Sequence, residues 1–289
     1  MRRAERLTLI AVVALAIAVA AAGCGQNPSP TSGAPGGAGE AGAALKVMVP
    51  CGQVGPFSEI VKIFQRQNPG LEVEWIPENM VTITNKLLNG KEKADVTLSM
   101  GDLEIDVLEK AGLLMDGTRV RYAENSLAIM VPTANPAGVK TVADLAKPSV
   151  RTITIPDPKD NSAGVHALEA LKGAGIWDAV EKKILFARFA ADSKDVAAKG
   201  HAEASIGYYP CAVEVHIPDQ PPAQPKNLKL ATQIPDDLYT PFSCEGAVLK
   251  EAKNPEAGKK LLALLQTPES QEIFKTWQFI ADVSSSPAG

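Results

Sequence analysis

The chain has 289 residues, of which 45% are apolar and 21% are charged, and its formal net charge at pH 7 is -4. This length accommodates two ordinary globular lobes. The lack of a basic excess argues against nucleic acid as a partner.

The first part of the chain is predicted to be a secretory signal rather than part of the fold. Three arginines at its start precede an apolar run from 7 to 22, which is too short for a membrane-spanning helix. The run ends in AAGC and resembles the lipobox of bacterial lipoproteins, so we expect removal of residues 1–23 and lipidation of Cys24. The alternative is cleavage after an Ala-x-Ala site, which would release a soluble secreted protein.

Residues 24–43 are dense in Gly, Pro and Ser and contain no aromatic or β-branched apolar residue. Such a segment cannot bury enough surface to order itself, so we predict a flexible tether between the lipid and the folded domain. The folded domain is therefore expected from residue 44 onward.

From Leu45, short apolar runs alternate with longer amphipathic stretches, which is typical of an α/β protein with mostly parallel sheets. A first helix is expected to end at the NPG sequence of 68–70. The predicted elements of this part are strands over LKVMVP (45–50), LEVEWIP (71–77) and ADVTLSM (94–100), and helices that begin at Phe57, cover 80–88 and cover 103–114.

A second α/β unit is predicted from residue 125 onward. Its strands are expected within 125–139, 151–158, 184–190 and 204–211, and its helices over 141–150, 164–173, 177–183 and 192–202. A strand over 246–250 and helices over 254–265 and 267–279 are expected in the last part of the chain. The proline-rich stretch HIPDQPPAQPKN (216–227) is expected to be a surface excursion. The whole pattern predicts two α/β lobes with a cleft between them.

Several of these stretches resemble a known family, the periplasmic solute-binding proteins of ABC importers, and in particular its molybdate and tungstate binders. The similar stretches are VPCGQ, ADVTLSMGD, DPKDNSAGVHALEAL, ASIGYYPCAVEV and PFSCEGAVLK. The resemblance implies an α/β fold of the type II periplasmic-binding-protein class: two Rossmann-like lobes joined by two crossover strands, with the ligand cleft between them. Lobe I would comprise 44–127 plus 244–289, and lobe II 128–243.

The same resemblance implies a set of ligand-binding residues. In the family a serine at the end of the first strand binds the oxyanion, and Cys51 stands at that place. Ser99 matches a second hydroxyl ligand, and Tyr208 matches a tyrosine whose hydroxyl reaches the ligand. The backbone N–H groups of Ser162 and Ala163 would face the ligand at the start of a helix.

Three cysteines of the mature domain, Cys51, Cys211 and Cys244, fall at strand ends or loops that the resemblance directs toward the cleft. They contain no CxxC pair, which argues against a zinc ribbon or a thioredoxin-like motif. Each thiol alone is compatible with burial as a small hydrophobe, and Cys211 with Cys244 is compatible with a disulfide. The favoured hypothesis is a three-thiolate site for Cu(I) or As(III), with His166 as a possible supporting ligand, because a thiolate repels an oxyanion.

The sequence therefore favours an extracytoplasmic, membrane-anchored lipoprotein that captures a small inorganic ligand and delivers it to an ABC permease. We expect a monomer without a cofactor, and not an enzyme, because GxSxG, P-loop and HExxH motifs are absent. One alternative is a molybdate- or tungstate-binding protein with a Cys211–Cys244 disulfide. Another is a ligand-sensing subunit of a membrane signalling system.

Overall fold

The computed structural model describes residues 44–213 and 226–281. The predicted signal, Cys24 with its tether, and most of the proline-rich stretch with His216 lie outside these residues. Within the two described ranges, no helix is long and apolar enough to cross a membrane.

The strands of the described residues form two sheets. In chain order they are β1 (Leu45–Pro50), β2 (Val73–Glu78), β3 (Val96–Leu98), β4 (Val120–Asn125), β5 (Leu127–Pro132), β6 (Ile153–Pro156), β7 (Ile184–Ala187), β8 (Ala204–Tyr208), β9 (Leu228–Gln233), β10 (Phe242–Val248) and β11 (Ile280–Ala281). The first sheet has the order β11-β4-β10-β3-β1-β2 and the second the order β7-β6-β8-β5-β9.

Helices flank both sheets. They are α1 (Val54–Gln67), α2 (Met80–Leu88), α3 (Asp102–Lys110), α4 (Ser162–Gly173), α5 (Trp177–Val180), α6 (Ala190–Ala198), α7 (Pro210–Val213), α8 (Pro255–Leu265) and α9 (Pro268–Thr276). A short 3-10 turn at Cys51–Gln53 links β1 to α1, and another at Ala143–Ala146 lies between β5 and β6.

Local chemistry explains where the first helices start and stop. Ile60 and Phe64 lie on one buried face of α1, and the side-chain amide of Asn68 donates to the Phe64 carbonyl at 2.9 Å, where the helix ends. Helix α2 begins after Asn79, whose side-chain oxygen accepts the Thr82 N–H at 2.9 Å. Such a cap satisfies a backbone donor that has no partner inside the helix.

The two sheets define two lobes, which confirms the predicted fold class. Strands β1, β2 and β3 pair in parallel, as do β6, β7 and β8. The sheets are nevertheless mixed, because β10 and β5, next to the two crossings between lobes, pair antiparallel with their neighbours. The chain crosses between β4 and β5 at Ser126 and returns between β9 and β10. The predicted lobe boundaries at 127/128 and 243/244 lie beside these crossings and remain a proposal.

The end of the predicted strand over 204–211 differs from the structure. Strand β8 stops at Tyr208, and residues from Pro210 form the short helix α7, so Cys211 lies on a helix rather than in a sheet. Proline has no N–H to continue a strand ladder and is well suited to a first helical position. This turn directs Cys211 toward the first lobe.

Candidate functional site

A cavity of about 70 Å³ lies between the two lobes, where β1 ends. Organic ligands occupy pockets of roughly 300–1,000 Å³, so this cavity is suited to a small ion. Both lobes contribute to its wall. The lining residues that bear on its chemistry are Cys51, Asn79, Met80 and Met100 from the first lobe, and Met130, Asn161, Lys194, Tyr208 and Cys211 from the second.

The cavity wall is rich in sulfur, since two thiols and three thioethers line it. A Cβ added to Gly52 would lie 2.5 Å from the Met100 Sδ and 2.8 Å from the Cys211 Sγ. Any larger residue at 52 would therefore displace these two sulfurs, which lie on opposite lobes. Glycine at this position lets the thiol of Cys211 approach the turn that carries Cys51.

Both cavity thiols favour the protonated form. Cys51 is exposed at the cavity mouth, but the surrounding protein desolvates its thiolate and, with the nearby Cys211, raises its pKa to about 11. Burial also raises the pKa of Cys211. The Lys194 ammonium opposes both shifts, because a nearby cation stabilises a thiolate.

Cys244 does not belong to the cavity wall. It is fully buried on β10 within the hydrophobic core, and its sulfur accepts a hydrogen bond from the Asn125 side chain at 3.0 Å. The three cysteines of the described residues are free thiols, so Cys211 and Cys244 form no disulfide. Among the described residues, no group of three or more His, Cys, Asp or Glu side chains has the arrangement of a metal site. The three-thiolate site predicted from Cys51, Cys211 and Cys244 is therefore not supported, because β10 turns Cys244 into the core.

The two serines expected to bind the ligand are engaged within the protein. The hydroxyl of Ser99 donates to the Gly101 carbonyl at 2.7 Å and accepts the Glu245 N–H at 3.3 Å. The hydroxyl of Ser162 donates to the Glu104 carboxylate and accepts the Leu103 N–H at 3.1 Å. Both serines are buried, and neither lines the cavity.

The start of α4 is also saturated by protein acceptors. The Ser162 N–H donates to the Glu104 carboxylate at 3.1 Å, and the Ala163 N–H donates to the side-chain oxygen of Asn161 at 3.0 Å. The Gly164 N–H donates to the Asn161 carbonyl at 3.0 Å. The structure thus directs the helix N-terminus at a carboxylate of the other lobe.

Tyr208 lines the cavity, and its role toward a ligand stays a prediction. Its ring is buried, and its hydroxyl is a buried polar group without a hydrogen-bond partner among the described residues. Burial raises its pKa well above the usual value, and the nearby Glu104 carboxylate adds to the shift. The Ala163 N–H faces this hydroxyl and opposes the shift, although it forms its hydrogen bond with Asn161 instead.

His166 lies on α4 behind the cavity and does not line it. Its ring is buried and stacks on Phe242 with 4.2 Å between the ring centroids. Its Nε2 lies 3.4 Å from Asp102 of the other lobe and its Nδ1 lies 3.1 Å from Glu169. Burial lowers the pKa of His166, but these two carboxylates outweigh burial and the pKa is raised.

Sequence reasoning missed several residues of the site. Met100 directly follows the predicted ligand Ser99, so its position at a strand end was a usable signal. Met130 and Lys194 had no local signal, because a methionine in an apolar strand and a lysine on a helix are common everywhere. Glu104 lies within the predicted helix over 103–114 and carries no separate sequence signal, yet it is buried.

Two mixed α/β lobes, two crossings and a small cavity walled by both lobes define a solute-binding protein of the type II periplasmic class. The chain belongs to the family of bacterial extracellular solute-binding proteins, which it matches over residues 45–279. This is a family of binding proteins, and the chain is accordingly a binding protein rather than an enzyme.

The sequence identity to individual members of known function is low. The chain is 25% identical to the molybdate-binding protein ModA of Rhodobacter capsulatus over 171 residues, a match that spans 59% of this chain and 63% of that protein, less than two thirds of its length. The fold is similar to the periplasmic molybdate-binding protein of Azotobacter vinelandii (TM-score 0.65, 18% identity, 82% of this chain and 99% of that one). It is also similar to the sulfate-binding protein SubI of Mycobacterium tuberculosis (TM-score 0.68, 16% identity, 85% and 88%).

Proposed function

We propose that the chain captures a soft cation of the Cu(I) type in the cavity between its lobes and presents it to an ABC permease. The observation that carries this proposal is the chemistry of the cavity wall. Cys51 and Cys211 approach one another from opposite lobes, together with the thioether of Met100. Thiolate and thioether ligands suit Cu(I).

The charge of the site supports a monovalent soft cation. Two thiolates with one Cu(I) carry one net negative charge, which the ammonium of Lys194 on the same wall would balance. Because the ligands are supplied by both lobes, the cation would also join the lobes. Hinge closure around a ligand is the usual way in which such two-lobed proteins respond to it.

The proposal includes an extracytoplasmic, membrane-anchored location for the protein. The AAGC sequence at the end of the signal supports a lipid anchor on Cys24, with residues 24–43 as the tether. We expect a monomer that works at the outer face of a membrane. Family membership favours delivery to a permease over a sensory role.

The proton balance of the site yields a direct test. Since the pKa of Cys51 is raised to about 11 and that of Cys211 is raised as well, each thiol must lose a proton when it binds the cation. The affinity for Cu(I) is therefore expected to rise with pH between about 6 and 9. Competition of the full-length, reduced chain against a chromophoric Cu(I) chelator measures this.

Matched cysteine variants locate the ligands in that titration. Cys51→Ser and Cys211→Ser each remove a proposed ligand. Loss of a residue that only hydrogen-bonds to a metal ligand weakens binding roughly 10–100-fold, so each variant is expected to weaken Cu(I) binding by more than this. Cys244→Ser is the control, because its sulfur does not line the cavity. Equal Cu(I) affinity in all three variants and in the wild type would refute the thiolate site.

A second candidate ligand is an oxyanion such as molybdate. The observations that favour it are the unpartnered hydroxyl of Tyr208 and the ammonium of Lys194 at the cavity. An oxyanion site would bind molybdate or sulfate with the thiols protonated, so its affinity would not rise with pH over the same range. Wild-type binding of molybdate with no binding of Cu(I) would select this alternative.

A further inference from the structure

The buried carboxylate of Glu104 connects the two lobes beside the cavity. Glu104 lies in the first turn of α3 in the first lobe and is only 1% exposed. One of its oxygens accepts the Ser162 N–H at 3.1 Å, and the other accepts the Ser162 hydroxyl. Ser162 is the first residue of α4 in the second lobe.

This position is the one at which a helix binds an anion. The first N–H groups of a helix lack partners within it, and the helix dipole favours negative charge at that end. Here the protein's own carboxylate occupies the position, and Asn161 takes the next N–H group, that of Ala163. No donor of this helix start is left for a ligand oxygen.

The hydroxyl of Tyr208 is an independent sign that a polar ligand group belongs nearby. It is buried, lines the cavity and has no hydrogen-bond partner in the described part of the chain. A buried hydroxyl without a partner is costly.

We propose that Glu104 is a specificity-determining residue that excludes oxyanions from the cleft by occupying the start of α4 with its own carboxylate. It accepts hydrogen bonds from the two Ser162 donors that an oxyanion would use, and thereby withdraws them from any ligand. A cation held by thiolates on the other side of the cavity needs neither donor. The inference rests on the proposed function for the location of the ligand, and it explains how such a site rejects molybdate-like ions.

The test compares Glu104→Ala and Glu104→Gln with the wild type by calorimetric titration of the full-length chain with tungstate, sulfate and Cu(I). Removing the carboxylate frees the Ser162 N–H and hydroxyl, so tungstate affinity is expected to rise by roughly 10–100-fold in Glu104→Ala. Glu104→Gln is included because it preserves the side-chain volume, so it tests the loss of the carboxylate in a variant that is less prone to unfold. Glu109→Gln is the matched control, because Glu109 lies exposed on the same helix and its charge faces Arg119.

The outcomes separate this inference from the proposed function. A folded Glu104→Ala variant that gains no affinity for tungstate overturns the inference, and so does a wild type that already binds tungstate as tightly as the variant. If the variant gains tungstate binding while the wild type fails to bind Cu(I), the inference stands and the proposed ligand is wrong. If Cu(I) binding is unchanged and tungstate binding appears only in the Glu104 variants, both are supported.

Discussion

At the scale of single residues, His166 illustrates how a buried ring takes on a role that its position in the sequence does not reveal. It is enclosed by Phe242 and reaches Asp102 across the boundary between the lobes. Because carboxylates flank both of its nitrogens, the charged ring is stabilised in spite of its burial. His166 thereby contributes to lobe contact rather than to the cavity wall.

The raised pKa of His166 makes part of the stability pH-dependent. A histidine whose pKa is higher in the folded state contributes its full stabilisation below the unfolded value of about 6.5 and loses it as the pH rises through the folded value. The pKa of Asp102 is lowered, chiefly by its hydrogen bond with His166, so its contribution is lost as the pH falls through that lowered value. His166→Gln should therefore destabilise the protein by about 0.5–1 kcal/mol near pH 6, a modest figure because Asp102 is partly exposed.

Urea unfolding of the wild type and of His166→Gln at a series of pH values measures this difference. The difference should shrink above the folded pKa of His166. His201→Gln serves as the control, because His201 is exposed. A difference that stays constant or grows as the pH rises would contradict the assignment of the His166–Asp102 pair.

At the scale of elements, the residue that caps the start of α4 also forms part of the cavity wall. The side chain of Asn161 caps the helix by accepting the Ala163 N–H, and the same residue lines the cavity. The helix is therefore positioned by the residue that also shapes the wall. Helix α9 has a cap of the same kind at Thr267, far from the cavity.

Asn161→Ala is expected to lower the free energy of unfolding by about 1 kcal/mol, the usual cost of losing an N-cap. Asn161→Asp should retain most of the stability, because its carboxylate can still accept the Ala163 N–H. Thr267→Ala should cost a similar amount without changing ligand affinity, and chemical denaturation together with ligand titration distinguishes the two sites. If Asn161→Ala were as stable as the wild type, the cap would have no energetic role.

At the scale of the whole molecule, the two lobes touch closely at Gly101 and Ser162. A Cβ on Gly101 would lie 2.1 Å from both the Cβ and the Oγ of Ser162. Contacts that short cannot exist, so any side chain at 101 must push the lobes apart or unfold the contact. The glycine thus permits the approach on which the shared cavity depends.

Gly101→Val is expected to increase the radius of gyration in solution and to weaken ligand binding, because Cys51 and Cys211 would separate with their lobes. Small-angle scattering of wild type and variant measures the first effect and ligand titration the second. Ser162→Gly in the Gly101→Val background removes the clashing atoms and should restore much of the closed shape. An unchanged radius of gyration in Gly101→Val would show that this contact does not control closure.

Local sequence was sufficient for most elements of the fold. The predicted helix over 80–88 matches α2, and the apolar run of LKVMVP predicted β1 in full. Helix α7 was missed because four residues after a strand carry too little periodicity to distinguish a turn of helix from more strand. Cys51, Tyr208 and Cys211 were placed at the cleft by the family resemblance, and all three line the cavity.

The sequence by itself determined the two-lobed α/β class, since that class follows from local pattern and connection order. Only the tertiary structure decided which groups face the cavity. Cys244 turns into the core, and the hydroxyl of Ser162 meets Glu104 rather than a ligand. The physical reason is that these outcomes depend on hydrogen bonds and packing between residues far apart in the chain, for which neither partner carries a local signal.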